Sequence, residues 1–420
     1  MDGPAQIGRS ASPVAEWALD PTVTFLNHGS FGACLRAILE VQRGWRDKIE
    51  MNPVRFLARD LEDLLDWSRS EIGGFVGVSA DDLALVPNAT AGINTVLRSM
   101  RWKAGDEVLT TDHAYAASLN ALRFAAAGCS ARVVLARIPF PIESSDAAFD
   151  AVMAAVTPNT KFAMLDHVTS PTALILPIER LVAALAEKGI DVLVDGAHAP
   201  GMLPLRIASM APAYYVGNLH KWVCAPRASA FLYVRRDRQG RIKPLAISNG
   251  ASDTRTDRSR FRLDFDWNGP FDPSPWLTVP AAIDGLGEML PGGWPSVTAN
   301  NRQLMIAARE MLAAALHTDV QAPDEMTGSM ASVRLPGGPW PRADALRRKE
   351  MIETALRGRL FEVPLMTWPC TWLVDSGDLP ESTEFELIVR ISAHVYNHIG
   401  QFERLASILA GFAGVNRPQG

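Results

Sequence analysis

Three residue types stand where reaction chemistry is done. Lys221 lies in Gly217-Asn218-Leu219-His220-Lys221-Trp222, between the apolar runs Ala213–Val216 and Ala228–Val234. Desolvation there disfavours the ammonium, lowers its pKa and makes the amine a base and a nucleophile. The plainer alternative is a surface lysine. Asp195 ends the apolar stretch of Val192-Leu193-Val194-Asp195-Gly196-Ala197-His198. Open α/β sheets gather ligands at the carboxyl ends of their strands, where a carboxylate can pair with a protonated ring nitrogen; a helix-capping Asp looks the same in sequence. Pro87-Asn88-Ala89-Thr90-Ala91-Gly92 follows the run Leu83–Val86. A small-residue turn opening a helix offers N–H groups and the positive dipole end to an anion, with the Thr90 hydroxyl alongside. An ordinary N-cap would have the same residues. No GxGxxG follows the first strand and no GxxxxGK precedes Ser or Thr, which argues against dinucleotide and P-loop chemistry.

The elements that must position these residues alternate. From about residue 80, β-like runs at Leu83–Val86, Glu107–Thr110, Ala131–Leu135, Lys161–Leu165 and Asp191–Val194 are separated by helical patterns at Ala91–Met100, Ala117–Ala127, Phe149–Val156 and Ile178–Lys188. This alternation predicts a mostly parallel sheet with helices on both faces. Upstream, Thr24–Gly32 reads as a short strand entering a Gly-punctuated loop. An amphipathic stretch from Cys34 to Phe75 should break into two helices at Asn52-Pro53. After Pro291-Gly292-Gly293 come helices (Ser296–Leu316, Arg342–Arg357, Ala393–Ala410) and short strands (Met330–Leu335, Phe361–Leu365, Phe385–Ile391), an α+β pattern. The expected organisation is an N-terminal arm (1–45), a large domain (46–290) and a small C-terminal domain (291–420).

An anion-binding helix start, then a strand-end acid, then a lysine between strands is the layout of a pyridoxal-phosphate (PLP) enzyme. The sequence resembles the class V aminotransferase-like family of PLP enzymes (fold type I), and within it the isopenicillin N epimerase-like branch. The resemblance rests on Leu26-Asn27-His28-Gly29-Ser30-Phe31-Gly32, Asn88-Ala89-Thr90, Thr111-Asp112-His113-Ala114-Tyr115, Asp166-His167-Val168-Thr169-Ser170, Asp195-Gly196-Ala197-His198, Asn218-Leu219-His220-Lys221-Trp222 and Arg390-Ile391-Ser392-Ala393-His394-Val395-Tyr396-Asn397. It implies an α/β fold with a mostly parallel seven-stranded sheet. Lys221 would form the internal aldimine and then move the α-proton, with Asp195 as pyridinium partner. His198 would bond the phenolic oxygen, and Asn88, Ala89, Thr90, Asn218 and His220 would form the phosphate cup. His113 would stack on the cofactor ring, with Tyr115 as its substitute. Arg390 would grip the substrate carboxylate, a bidentate task that suits Arg, and Asn27 would approach the substrate. The implied activity is epimerisation or β-elimination (C–S lysis) on a cysteine-derived amino acid; desulfuration, transamination and a silent binding protein are the alternatives. A homodimer with shared sites is implied too. Its partner-reaching loop would be Phe265-Asp266-Trp267-Asn268-Gly269-Pro270, with Pro270 where the family pattern has Thr. Ser170 likewise stands where many relatives have Asn.

Other readings bound the function. The chain has 420 residues, 48% hydrophobic and 21% charged, with a net charge of −5. That suits a large folded core and, with no basic block, argues against nucleic-acid binding. Four cysteines without a CxxC pair suit reduced thiols in a reducing, cytoplasmic compartment. No apolar signal-peptide core or membrane-length run occurs. Asp112-His113 and Asp166-His167 lack metal-site spacing, so no metal is expected. Cys370 lies 20 residues before Arg390, as a desulfurase thiol would, but on what reads as a strand. Arg255, Arg258, Arg260 and Arg262 form a solvated face or a substrate-entry patch. Trp222 and Trp267 are candidate walls of the site.

Overall fold

The computed structural model describes residues 13–412, so residues 1–12 of the expected arm lie outside the described residues. The amphipathic stretch forms helices α1 (Arg36–Met51) and α2 (Leu61–Val76). Between them Pro53 ends the first helix, and the Asn52 side chain accepts the Arg55 N–H to start the next turn.

Seven strands follow: β1 (Leu83–Val86), β2 (Glu107–Thr111), β3 (Arg132–Ala136), β4 (Thr160–Asp166), β5 (Asp191–Asp195), β6 (Tyr214–Asn218) and β7 (Ala230–Val234). They form one sheet in the order β1-β7-β6-β5-β4-β2-β3. All neighbours run parallel except at β7, which is antiparallel to both β1 and β6. Helices α3 (Ala89–Ser99), α4 (Ala116–Ala127), α5 (Ser145–Ala154) and α6 (Ile178–Glu187) make the crossovers. One sheet face packs Leu193 and Val216 against Ile93, Val96 and Leu122 of α3 and α4. The other packs Val192 and Val194 against Val152, Leu181 and Ile72 of α5, α6 and α2. Coverage of both faces explains why the strands read as unbroken apolar runs.

Helix α7 (Val279–Gly287) leads to α8 (Trp294–Leu316). Val297, near the start of α8, packs in the large core, whereas Met305 to Leu316 pack in a second one. That second core is built on antiparallel strands β8 (Met330–Arg334), β9 (Leu365–Trp368) and β10 (Glu384–Ser392), with α9 (Arg342–Arg357) and α10 (Ile399–Phe412). The N-terminal segment joins this half: Thr24–Phe25 pairs in parallel with Phe361–Glu362, and Leu26 is part of the second core.

Two expected elements differ. The strand expected over Phe361–Leu365 is split at Val363-Pro364, because Phe361–Glu362 pairs with the N-terminal segment while Leu365 opens β9. The helix expected over Ala393–Ala410 begins only at Ile399. Residues 393–398 instead form a turn in which the Asn397 side chain accepts the His394 N–H and donates to the Phe25 carbonyl.

Candidate active site

The carboxyl ends of the sheet strands, the N-terminus of α3 and strand β10 converge on a cavity of about 350 Å³. Lys221, Asp195, His198, Asn218, His220, Arg390, Tyr115 and the Asn88–Thr90 turn line it. Chain segments more than 300 residues apart therefore meet there.

Lys221 sits in the turn after β6. Its Nζ is 3.1 Å from His198 Nε2. Burial, aided by the Arg390 charge and opposed by Asp195, lowers the Lys221 pKa to about 7. Burial, then Lys221 and Arg390, hold His198 well below the usual imidazole range, so its ring is neutral. Asp195, at the end of β5, is 4% exposed. Ser118 Oγ donates to its Oδ2 at 2.8 Å and the Ala197 N–H donates to Oδ1 at 3.1 Å. These bonds and Lys221 favour its charge against the burial that raises its pKa. Beside it in register is Asp166, at the end of β4. Burial and then the Asp195 charge push the Asp166 pKa well up, because two carboxylates so close cannot both ionise cheaply.

The Asn88 side chain caps α3 through the Ala91 N–H, and the Asn218 carboxamide oxygen accepts the Ala89 N–H at 2.8 Å. The Asn218 NH₂ is then left as a donor beside the positive end of the helix. Gly32 brings the N-terminal segment against the lysine turn after β6. Its φ is +69°, and a Cβ there would lie 2.0 Å from the His220 carbonyl, so only glycine fits.

Arg390 is 2% exposed. Its Nη1 donates to the Ser170 carbonyl at 2.7 Å and Oγ at 3.1 Å; its Nη2 donates to Ser30 Oγ at 2.8 Å and Asn27 Oδ1 at 3.5 Å. Burial lowers its pKa only to about 10, leaving it charged. Among the described residues no carboxylate pairs with it, and its Nε has no hydrogen-bond partner. A buried guanidinium held only by neutral oxygens is poised for an anionic ligand.

Two site candidates lie elsewhere. His113 is fully buried outside the cavity, with Nδ1 2.6 Å from Thr172 Oγ1, Nε2 3.1 Å from the Ile138 carbonyl, and its ring against Trp368. The chain turns after β2 and aims the alternate position, Tyr115, into the cavity. Asn27 does not line the cavity, and its Oδ1 accepts from Ser30 Oγ at 2.6 Å and Arg390 Nη2 at 3.5 Å. Conversely, Ser118, Asp166 and Ser30 line the cavity. Asp166 had a sequence cue, since β4 ends in an acid as β5 does. Ser118, one helical turn inside α4, had none.

The remaining candidates resolve plainly. Cys370 is buried among Ala114, Leu119 and Ile388, and burial raises its thiol pKa well up. Trp222 is fully buried and Trp267 packs on the large core, both outside the cavity lining. Arg255 and Arg260 are exposed, as a solvated face would be, whereas Arg258 and Arg262 are largely buried. Each is paired with acids, chiefly Glu62, Asp66, Asp264 and Asp266.

A family model described as Aminotransferase class-V matches residues 51–405. The chain belongs to the aminotransferase class-V family. Isopenicillin N epimerase of Amycolatopsis lactamdurans is 32% identical over 409 residues, covering 93% of this chain and 96% of that protein. Putative L-cysteine desulfhydrase 1 of Oryza sativa subsp. japonica is 30% identical over 405 residues, covering 91% and 82%. Among solved structures, a C-DES mutant with glycine covalently linked to its PLP cofactor has a TM-score of 0.75 at 19% identity, covering 93% of this chain and 97% of that one. The fold is thus that of the type I PLP enzymes, and PLP is the cofactor of this class-V enzyme. The cavity fits that group on its own terms. A helix N-terminus offers an anion site, a buried carboxylate and an amine shifted towards neutrality line the same cavity, and the buried His198 Nδ1 has no partner. Among the described residues no helix is long and apolar enough to cross a membrane.

Proposed function

We propose that this class-V enzyme cleaves a C–S bond in a cysteine-derived L-amino acid by β-elimination. Asn88, Ala89, Thr90, Asn218 and His220 would hold the cofactor phosphate, Asp195 its ring nitrogen, His198 its phenolic oxygen and Lys221 its aldehyde carbon. Bound PLP supplies a sink for the electron pair left when the α-proton departs. Arg390 holds the substrate carboxylate, and Ser30 and Ser170 aim its guanidinium. The Lys221 amine takes the proton from Cα. Ser118 and the Ala197 N–H hold the Asp195 carboxylate in place, and the thiolate leaves from Cβ.

The observation that carries this reading is the buried Lys221 amine in one cavity with Arg390. The Lys221 pKa is lowered to about 7, and among the described residues Arg390 has no carboxylate partner. Elimination needs one base and a leaving group. The desulfurase reading requires a mobile reactive thiol, and the buried Cys370 does not fit it. Epimerisation needs a second proton donor across from Lys221; Tyr115, half-exposed at the cavity, keeps it as the second reading. The relatives named as desulfhydrase and epimerase support the two readings respectively.

A homodimer belongs to this proposal. None of Phe265–Pro270 lines its own chain's cavity, which leaves that segment open to serve a second copy. A cytoplasmic location accords with the four free thiols. The deciding experiment is proton NMR of the enzyme with an L-cysteine thioether in deuterated buffer. Pyruvate and free thiol are expected. Deuterium at Cα with both enantiomers present would replace elimination by epimerisation.

A further inference from the structure

Directly behind the reactive lysine lies a buried aromatic and thiol cluster made of Trp17, His28, Trp222, Cys224, His394 and Tyr396, each at most 4% exposed. Its centre is His28. The ring Nε2 is 3.0 Å from the Lys221 carbonyl oxygen, and Nδ1 is 2.8 Å from the Tyr396 hydroxyl. A carbonyl only accepts, so Nε2 must carry the proton. Nδ1 is then a bare acceptor, and Tyr396 must be the donor. The opposite tautomer would set two lone pairs against each other 3.0 Å apart. Burial pushes the His28 pKa down to about 3, so the ring does not gain a second proton. Cys224 Sγ lies 3.5 Å from His394 Nε2 and 3.7 Å from His28 Nε2. Those distances alone would suit a metal ion. However, both His28 nitrogens are committed, and the two imidazoles stack with centroids 4.4 Å apart and planes 23° apart. Stacked rings do not aim their lone pairs at a common point.

We propose that Tyr396 and His28 are positioning residues. Tyr396 locks the His28 tautomer, and His28 Nε2–H holds the Lys221 carbonyl, thereby setting the backbone from which the reacting amine projects. The relay ties the turn after β10 to the turn after β6 through the N-terminal segment, so the three parts of the site register on one hydrogen-bonded ring. This inference rests on Lys221 being the cofactor-bearing lysine. The titratable groups facing His28 are Cys224, His394, Tyr396, His198 and Lys221 itself; those facing the Lys221 amine are His198, His220, Asp195 and Arg390.

The test uses the full-length holoenzyme. Tyr396→Phe keeps the ring and removes the donor. The expected result is a modestly lowered unfolding midpoint, because the buried His28 Nδ1 loses its donor, an unchanged KM, a kcat lower by about three- to tenfold, the worth of one hydrogen bond, and a displaced pH midpoint of the visible absorbance of the lysine-bound cofactor. His28→Gln keeps an N–H at the Nε2 position and should retain more kcat than His28→Leu. A wild-type kcat and spectral midpoint in Tyr396→Phe would overturn the relay, and so would equal impairment in His28→Gln and His28→Leu, which would mean that only packing matters. Lys221→Ala is run in parallel: a persisting lysine-linked absorbance would overturn the underlying assignment, a result distinct from failure of the relay.

Discussion

At the scale of single residues, function turns on unpaired charge. Arg390 is a cation taken out of water without a carboxylate bound to it, and Lys221 is an amine that burial pushes towards neutrality; such arrangements cost stability and persist where a ligand repays it. Replacing Arg390 with Ala should raise KM by roughly ten- to a hundredfold, the range for charged hydrogen bonds, with a smaller effect on kcat in steady-state kinetics. Asp195→Ala should lower kcat by roughly a hundredfold or more, because charge held in place before the reaction supplies much of an enzyme's rate enhancement. The Lys221 amine is a base only when unprotonated. Its pKa is lowered to about 7, so kcat should rise as pH increases through that value, which a pH–rate profile measures. Cys370→Ala tests the desulfurase reading: activity within about twofold and a stability loss of about 1 kcal/mol are expected for a buried packing residue.

At the scale of elements, the site is a set of chain turns placed at strand ends. The α3 N-terminus, the turn after β5 and the turn after β6 were legible, because each couples a polar residue of known chemistry to the end of an apolar run. The choice between His113 and Tyr115 was not legible. Both follow β2, and which one faces the cavity depends on how the chain turns there and on Trp368, Phe140 and Thr172 accepting the His113 ring. Gly32 belongs to this scale. Gly32→Ala would drive a Cβ into the His220 carbonyl and displace the lysine turn. We expect weakened PLP retention, read as cofactor lost on dialysis, with the far-UV circular dichroism unchanged.

At the scale of the whole molecule, two cores share one helix, α8, and the N-terminal segment crosses from one to the other. The arginine-rich segment after residue 250 is also a long-range fastener. Arg262 is paired with Asp66 of α2 and with Asp266. Removing it as Arg262→Ala should destabilise the fold by about 1.5 kcal/mol through its lost charged hydrogen bonds, since Arg69 still pairs both acids, seen as a lower denaturant midpoint. By itself, the sequence determined the strands and crossover helices, the strand-end acid and the lysine loop, because burial on both sheet faces and turn chemistry are written in local residue order. Only the tertiary structure decided which aromatic enters the cavity, that Ser118 and Asp166 join it, that Cys370 is shut away and that the arginines are paired. Those outcomes depend on which side chains meet across hundreds of residues, and local periodicity does not encode such meetings.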